Sequence, residues 1–328
     1  MTERIPTTPP HIAPLPSNGP APLWSVMIPA YNCSQFLEQT IKSVLSQDPG
    51  LDKMQIEVID DGSTDTDVGE LVMRVGNGRV QYHRKEQNMG SLRNFETCIN
   101  RAQGSLVHIL HGDDYVSDGF YNEIEKLFSQ YPEAGAAFTD FHYVDEVGNN
   151  LYLDPAIQDS PGLLADPISF IAEKQRIQPP AMVVRRSVYE KLGSFYAVEY
   201  GEDWEMWARI ASRFPIAHFP GHLACYRVHT HNITTQSLVS GQNIKDIIKV
   251  ISIIQNYIPV ENRKRLNKRA KRNFSIYYAW LAHKLYHDHG DVNAARTQVT
   301  GALQLDVNKT TVQLALKLYI KLLIRYKQ

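Results

Sequence analysis

Residues 55–65 read QIEVIDDGSTD. The apolar part of this stretch reads as a strand, and it stops at two acids and a glycine, Asp60, Asp61 and Gly62. Ser63, Thr64 or Asp65 can then cap a following helix. A carboxylate at such a strand end can accept a hydrogen bond from a nucleobase N–H or a ribose hydroxyl, and Gly62 lets a ligand approach the backbone. Asp, Gly and Ser also build ordinary turns, so the flanking sequence decides which reading holds.

The flanks repeat the pattern. WSVMIPA (24–30) reads as a strand and SQFLEQTIKSVLSQ (34–47) as an amphipathic helix, with Asn32 or Ser34 as its N-cap. Downstream, a helix from Asp65 to about Arg74 leads to a strand RVQYHR (79–84), a helix SLRNFETCINRAQ (91–103) and a strand LVHILH (106–111). Strands alternating with helices specify an α/β fold with a largely parallel sheet covered by helices. Ligands of such sheets bind at the carboxyl ends of strands, and PAYN, DDGSTD and HGDDY all fall there.

Beyond them the alternation loosens. A strand AAFTDFHYVD (136–145) is followed by a polar, proline-punctuated loop from Leu151 to Pro167, a strand around AMVVRR (181–186), a helix from Glu202 to Arg213 and the segment HLACYRV (222–228). From about Gly241 the chain reads as all helical, with one helix–turn–helix pair broken at Gly290. The layout expected is a disordered Pro-rich leader over 1–22, an α/β domain over 23–235 and a helical appendage over 236–328.

Composition narrows the class. With 328 residues, 43% hydrophobic and 21% charged, the chain can bury a sizeable core. A net charge of -1 argues against a dedicated nucleic-acid binder. Three scattered cysteines, Cys33, Cys98 and Cys225, give neither a disulfide framework nor a metal knuckle, which fits a reducing cytosol. No apolar run reaches the roughly 18 residues of a spanning helix, and the N-terminus lacks a signal-type apolar core.

The remaining motifs carry chemistry. Asp113 and Asp114 sit side by side after a strand, where like charges raise each other's free energy unless a cation lies near. Asp113 suits a hard divalent ion, Mn2+ or Mg2+, shared with a diphosphate. In GEDWEMWAR (201–209), Glu202, Asp203 and Glu205 crowd a helix start beside Trp204 and Trp207, an arrangement expected of a general base facing a sugar hydroxyl. In YRVHTHNIT (226–234), His229 or His231 can complete a cation shell and Arg227 can grip phosphate bidentately. Taken singly, each motif has an ordinary structural reading as turn, helix cap or core.

The ordered set PAYN, DDGSTD, NMGSLRN, LHGDDY, GEDWEMWAR and YRVHTHN resembles the family 2 glycosyltransferases, enzymes of the GT-A fold, over about Trp24 to Thr234. The resemblance implies a Rossmann-like mixed sheet flanked by helices and an inverting transferase using a nucleotide-diphosphate sugar and a divalent metal. By position it implies Pro29, Ala30 and Tyr31 bordering the base and Asp60 or Asp61 binding the nucleoside, a uridine or another. Asn88, Gly90 and Arg93 would lie near diphosphate and sugar. Asp113 would be the metal aspartate of the DxD motif, Asp203 the base and His229 a late ligand to metal. Glu202 and Trp204 would line the acceptor. The chain departs from the family at His111, which stands where the first DxD acid is expected.

The implied donor is a UDP-sugar and the acceptor a saccharide or lipid-linked molecule, in bacterial surface-polysaccharide or glycolipid synthesis. The C-terminus, VQLALKLYIKLLIRYK, sets Lys317, Lys321 and Arg325 four apart on an otherwise apolar helix, a pattern suited either to a membrane interface or to docking on the preceding helices. The rival functions are a catalytically silent sugar-nucleotide-binding module and a sugar nucleotidyltransferase. The latter would want a glycine-rich basic loop after the first strand, which PAYNCSQF does not supply.

Overall fold

The computed structural model describes residues 3–15, 21–153, 155–229 and 233–324. Strands and helices alternate as β1 (Trp24–Ala30), α1 (Ser34–Leu45), β2 (Met54–Asp60), α2 (Val68–Gly76), β3 (Gln81–Arg84), α3 (Ser91–Arg101) and β4 (Leu106–Ile109). There follow β5 (Tyr115–Val116), α4 (Phe120–Gln130), β6 (Ala136–Val144), β7 (Asn150–Leu153), β8 (Gly162–Leu163), α5 (Pro167–Ala172), β9 (Met182–Arg185) and α6 (Arg186–Leu192). Then come α7 (Glu202–Ala211), β10 (Ile216–Arg227), α8 (Ile233–Ser240), α9 (Gln242–Ile254), α10 (Val260–His289), α11 (Val292–Leu305) and α12 (Lys309–Leu323).

Ten strands make one mixed sheet in the order β3-β2-β1-β4-β9-β6-β10-β5, with β7 on β6 and β8 on β10. β1 pairs in parallel with β2 and β4, and β2 with β3. β9 enters antiparallel between β4 and β6. The central strands β1 and β2 are buried along their whole length, which is why they read as near-continuous apolar runs. The Leu151–Pro167 stretch, expected as a loop, contributes the short strands β7 and β8.

Two compact units emerge. The first holds the sheet and comprises Met1–Ala165, Ile177–Ala197 and Arg213–Val228; the second comprises Asp166–Arg176, Val198–Ser212 and His229–Gln328. The single boundary expected near 235 therefore differs from the packing, since α5 and α7 belong with the C-terminal helices. In the second unit Gly290 ends α10 in the left-handed conformation, φ 66°, where the sequence breaks the helix pair.

Residues 3–15 correct the expectation of a disordered leader. Ile12 is fully buried, and leader carbonyls accept from the first unit: Pro6 O from Ala197 N and Pro10 O from Ser194 N, both at 2.9 Å. Ala13 O accepts from Arg186 Nη2 at 3.0 Å. Prolines keep this strap extended with its carbonyls outward, so tertiary acceptors replace a helix or ladder. Of the expected leader, residues 1–2 and 16–20 lie outside the described residues.

Candidate active site

Backbone hydrogen bonds tie the three strand-end clusters into one rim. Asp61 N donates to Ala30 O at 2.9 Å and Gly112 N to Pro29 O at 3.0 Å, so the turns after β2 and β4 both hang from the end of β1. Thr40 of α1 adds a clasp, its hydroxyl donating to Asp114 O at 2.6 Å. Gly112 has no room for a side chain, because a Cβ there would lie 2.8 Å from Cys33 Sγ. Tyr31 stands at this rim, 49% exposed. Asn32 does not cap α1; its Oδ1 accepts Thr64 N at 2.8 Å. Asp65, from the neighbouring turn, accepts Ser34 N at 2.9 Å, and Asp67 caps α2.

Asp60 and Asp61 divide their work. The Asp60 carboxylate is wholly buried, accepting Ser63 N at 2.8 Å, Tyr82 OH at 2.9 Å and Arg84 Nη1. It closes the turn. Asp61 accepts Gly90 N at 2.8 Å and Met89 N at 3.1 Å and pairs with Lys85 at 2.7 Å. It thereby fixes the loop that carries Asn88 and Gly90. The strap reaches the same loop: Arg4 Nη1 donates to Asn88 Oδ1 at 2.7 Å and Arg93 Nε donates to Glu3 O at 2.7 Å.

His111, Asp113 and Asp114 bring their ligand atoms within 4.8 Å of one another. Among the described residues this is the one such group of three or more. His111 stacks on Phe95 with ring centroids 5.1 Å apart, and burial pushes its imidazole pKa down. It is therefore neutral near pH 7, with a lone pair to offer. Burial and then the Asp113 charge hold the Asp114 carboxyl well above the usual range. Asp114 Oδ1 accepts Arg227 N at 2.8 Å, while its buried Oδ2 has no hydrogen-bond partner among the described residues. An orphaned oxygen on an acid whose ionised form is destabilised fits a cation. One imidazole and two carboxylates suit Mn2+ or Mg2+. The sequence reading chose Asp113 as the ligand, saw Asp114 beside it as a second charge that a cation would offset, and noted His111 at the first DxD position; the structure brings the ligand atoms of all three together.

Arg227 is a clasp and not a phosphate ligand. It is 1% exposed, and its guanidinium donates to Asp113 O at 2.8 Å, to Asp145 O and Glu146 O at 2.9 Å and to Gln39 Oε1 at 2.6 Å. Its carbon lies 4.7 Å from the Phe36 ring centre. Four protein acceptors leave no bidentate fork for a diphosphate; what Arg227 does is hold the HGDDY turn against β10.

In the second unit, α7 starts at Gly201 with φ 87° and presents its acids in the first turn. Asp203 is 5% exposed; its Oδ2 accepts Gln175 Nε2 at 2.6 Å and its Oδ1 accepts Trp204 N at 2.8 Å. Burial raises its pKa to about 6, against the pull of these two hydrogen bonds. Half-buried Glu202 is raised too, first by burial and then by Asp203. Glu205 is fully buried and paired with Arg209 at 3.0 Å and with Tyr257 OH, so it is structural. Trp204 is also fully buried, its indole N–H donating to Ile171 O at 2.7 Å and its ring against Phe274. That corrects its assignment to the acceptor. His229 is buried in this unit, and His231 lies outside the described residues. No local pattern points to Gln175, which sits 28 positions before its partner Asp203.

A family model described as glycosyl transferase family 2 matches residues 25–193. The chain belongs to this family. An uncharacterized glycosyltransferase of Haemophilus influenzae is 23% identical over 63% of this chain and 66% of its own length. The structure of Staphylococcus aureus TarS 1–349 with UDP-GlcNAc aligns with TM-score 0.64 at 13% identity, covering 89% of this chain and 83% of that one. A mannosyltransferase of Pyrobaculum calidifontis with GDP-Man and Mn2+ aligns with TM-score 0.58 at 17% identity, covering 96% and 84%. These likenesses bear out the GT-A-type mixed sheet flanked by helices and followed by a helical region.

Proposed function

We propose that this family 2 member is an inverting, metal-dependent hexosyltransferase that moves a sugar from a nucleotide-diphosphate sugar, a UDP-sugar first of all, to an acceptor hydroxyl. The acceptor in this reading is a saccharide or a lipid-linked molecule of bacterial surface-polysaccharide or glycolipid synthesis. The reaction runs in the cytoplasm, at the inner face of the membrane. The observation that carries the proposal is the His111–Asp113–Asp114 group, one backbone hydrogen bond from Pro29 at the carboxyl end of β1. The UDP-GlcNAc bound by TarS and the GDP-Man and Mn2+ bound by the archaeal mannosyltransferase support the donor class.

Each residue then has a role. Tyr31, with Pro29 and Ala30, borders the base, Asp61 receives the nucleoside, and Asn88, Gly90 and Arg93 lie along the diphosphate and sugar. Asp113, His111 and Asp114 would hold the divalent ion, which would supply positive charge against the leaving diphosphate. Asp203, its pKa near 6, is ionised at pH 7 yet basic enough to take a proton. It accepts the proton of the acceptor hydroxyl. That oxygen attacks the anomeric carbon from the face opposite the diphosphate, and the electron pair of the broken C–O bond leaves with the diphosphate. Glu202 stands on the acceptor side.

A panel of nucleotide sugars, scored for thermal stabilisation and for nucleotide release with and without Mn2+, tests this. At least one sugar nucleotide should stabilise the protein and release its nucleotide faster with the metal. Stabilisation without release under any condition would favour the silent binding module, the reading that His111 in place of an acid supports.

A further inference from the structure

The last helix has two apolar faces, and only one is covered. α12 docks on α10 and α11 through Thr311, Ala315 and Leu318, joining a core of Ala282, Tyr286, Ala295 and Val299. His283 Nε2 meets Leu314 O at 2.9 Å and Lys321 Nζ meets His287 Nε2 at 2.6 Å, which fixes the helix's rotation. Its other face keeps Leu316 58%, Tyr319 39%, Ile320 56%, Leu323 83% and Ile324 65% exposed. At 100° per residue these five cover an arc of about 140°. A soluble surface rarely leaves so continuous an apolar face bare.

The rim of this face is basic and aromatic. Lys317 and Lys321 flank the arc, Lys321 on the side of His287 of α10, and α10 itself exposes Trp280, 53%, and Tyr277, 41%. Lys284 Nζ lies 5.9 Å from the Trp280 ring centre. No acidic residue occurs from Asn262 to His287 or from Val307 to Ile324, so these two segments carry only positive charge. Leucines sinking past the headgroups, tryptophan and tyrosine at headgroup level and lysines against lipid phosphate are the chemistry of a bilayer interface. A second copy of the chain fits worse, because the same face of its α12 and the adjoining stretch of α10 carry no acid to pair with these lysines.

We propose that the outer face of α12, with Trp280 and Lys284 of α10, is a docking surface for a membrane rich in anionic phospholipid. The inference rests on the membrane-side location proposed above and is independent of the transfer chemistry. Among the described residues no helix is long and apolar enough to cross a membrane, and the surface acts by lying on one.

Co-flotation of the full chain with phosphatidylcholine vesicles, with and without 30% phosphatidylglycerol, tests it. The chain should float with the anionic vesicles and be released by high salt. Lys317→Glu with Lys321→Glu should lower partition at least about 25-fold, at roughly fivefold per lysine. Leu316→Ser, Ile320→Ser and Leu323→Ser together should abolish flotation while leaving the melting temperature unchanged, since all three side chains are exposed. Equal flotation with neutral vesicles, or flotation untouched by either variant, overturns the proposal. So does a chain that does not float but whose dimer is broken by the triple serine variant in sedimentation velocity. Mn2+-dependent UDP binding by the same variants reports on the transferase reading separately.

Discussion

Replacing Asp203 by asparagine should break catalysis and, at neutral pH, strengthen the fold. The carboxyl is 5% exposed and its pKa is raised from 3.8 to about 6, chiefly by burial. Between these two values the unfolded chain has already lost the proton that the folded chain keeps. Stability attributable to this group is therefore full below pH 3.8 and falls as pH rises to about 6. Above that both states are ionised, and the buried charge costs the fold on the order of 3 kcal/mol. Asparagine removes the charge but can satisfy only one of the two donors, Gln175 Nε2 and Trp204 N, which gives back about 1 kcal/mol. A net gain of about 2 kcal/mol at pH 7.5 is expected, shrinking to nothing or reversing near pH 4. Melting curves of wild type and Asp203→Asn across pH 4–8 read this directly. Transfer should meanwhile fall by roughly 10²–10⁴, with nucleotide binding retained. A melting difference that does not change with pH, or transfer near the wild-type rate, would refute the assignment of Asp203 as a buried, raised-pKa base.

Gln175→Leu removes a hydrogen bond that lowers the Asp203 pKa, so the acid limb of the pH–rate profile should move to higher pH; a limb that stays in place contradicts the coupling. Arg227→Lys keeps the charge but loses the fork that reaches Asp113 O, Asp145 O, Glu146 O and Gln39. It should cost about 3 kcal/mol, seen as a melting temperature lower by roughly 6 °C or more. Unchanged melting with weakened UDP binding would instead return Arg227 to phosphate. Ile12→Asp should unseat the leader strap and cost about 2–3 kcal/mol in denaturant melts, and a variant as stable as wild type would mean the strap contributes little.

The fold was legible because its decisive strands are buried on both faces. β1 and β2 carry their apolar runs up to Pro29–Ala30 and Asp60–Asp61, and helical periodicity between them needs no tertiary information. The site was legible to the level of the loop but not of the atom. Both Asp60 and Asp61 are enclosed, by Tyr82 and Arg84 around the one and by Lys85, Met89 and Gly90 around the other, partners more than twenty positions away. Arg227 looked like a phosphate ligand because composition cannot tell a guanidinium facing a ligand from one facing four protein oxygens. Trp204 was assigned to the acceptor for the same reason: the α5 carbonyl that takes its indole N–H is remote in sequence. The leader looked disordered because its order comes from Ala197 N, Ser194 N and Arg186, donors that no local pattern reveals. α12 was the opposite case, where lysines four apart admitted both docking and membrane contact, and its packing leaves a face for each.

The most direct measurement is calorimetric titration of UDP into the wild-type protein and Asp113→Ala, each with and without Mn2+, with GDP run in parallel. Tenfold or greater tightening by the metal in the wild type, for either nucleotide, and none in the variant is the expected result. Equal affinity with and without the metal in both proteins would contradict a cation held by His111, Asp113 and Asp114.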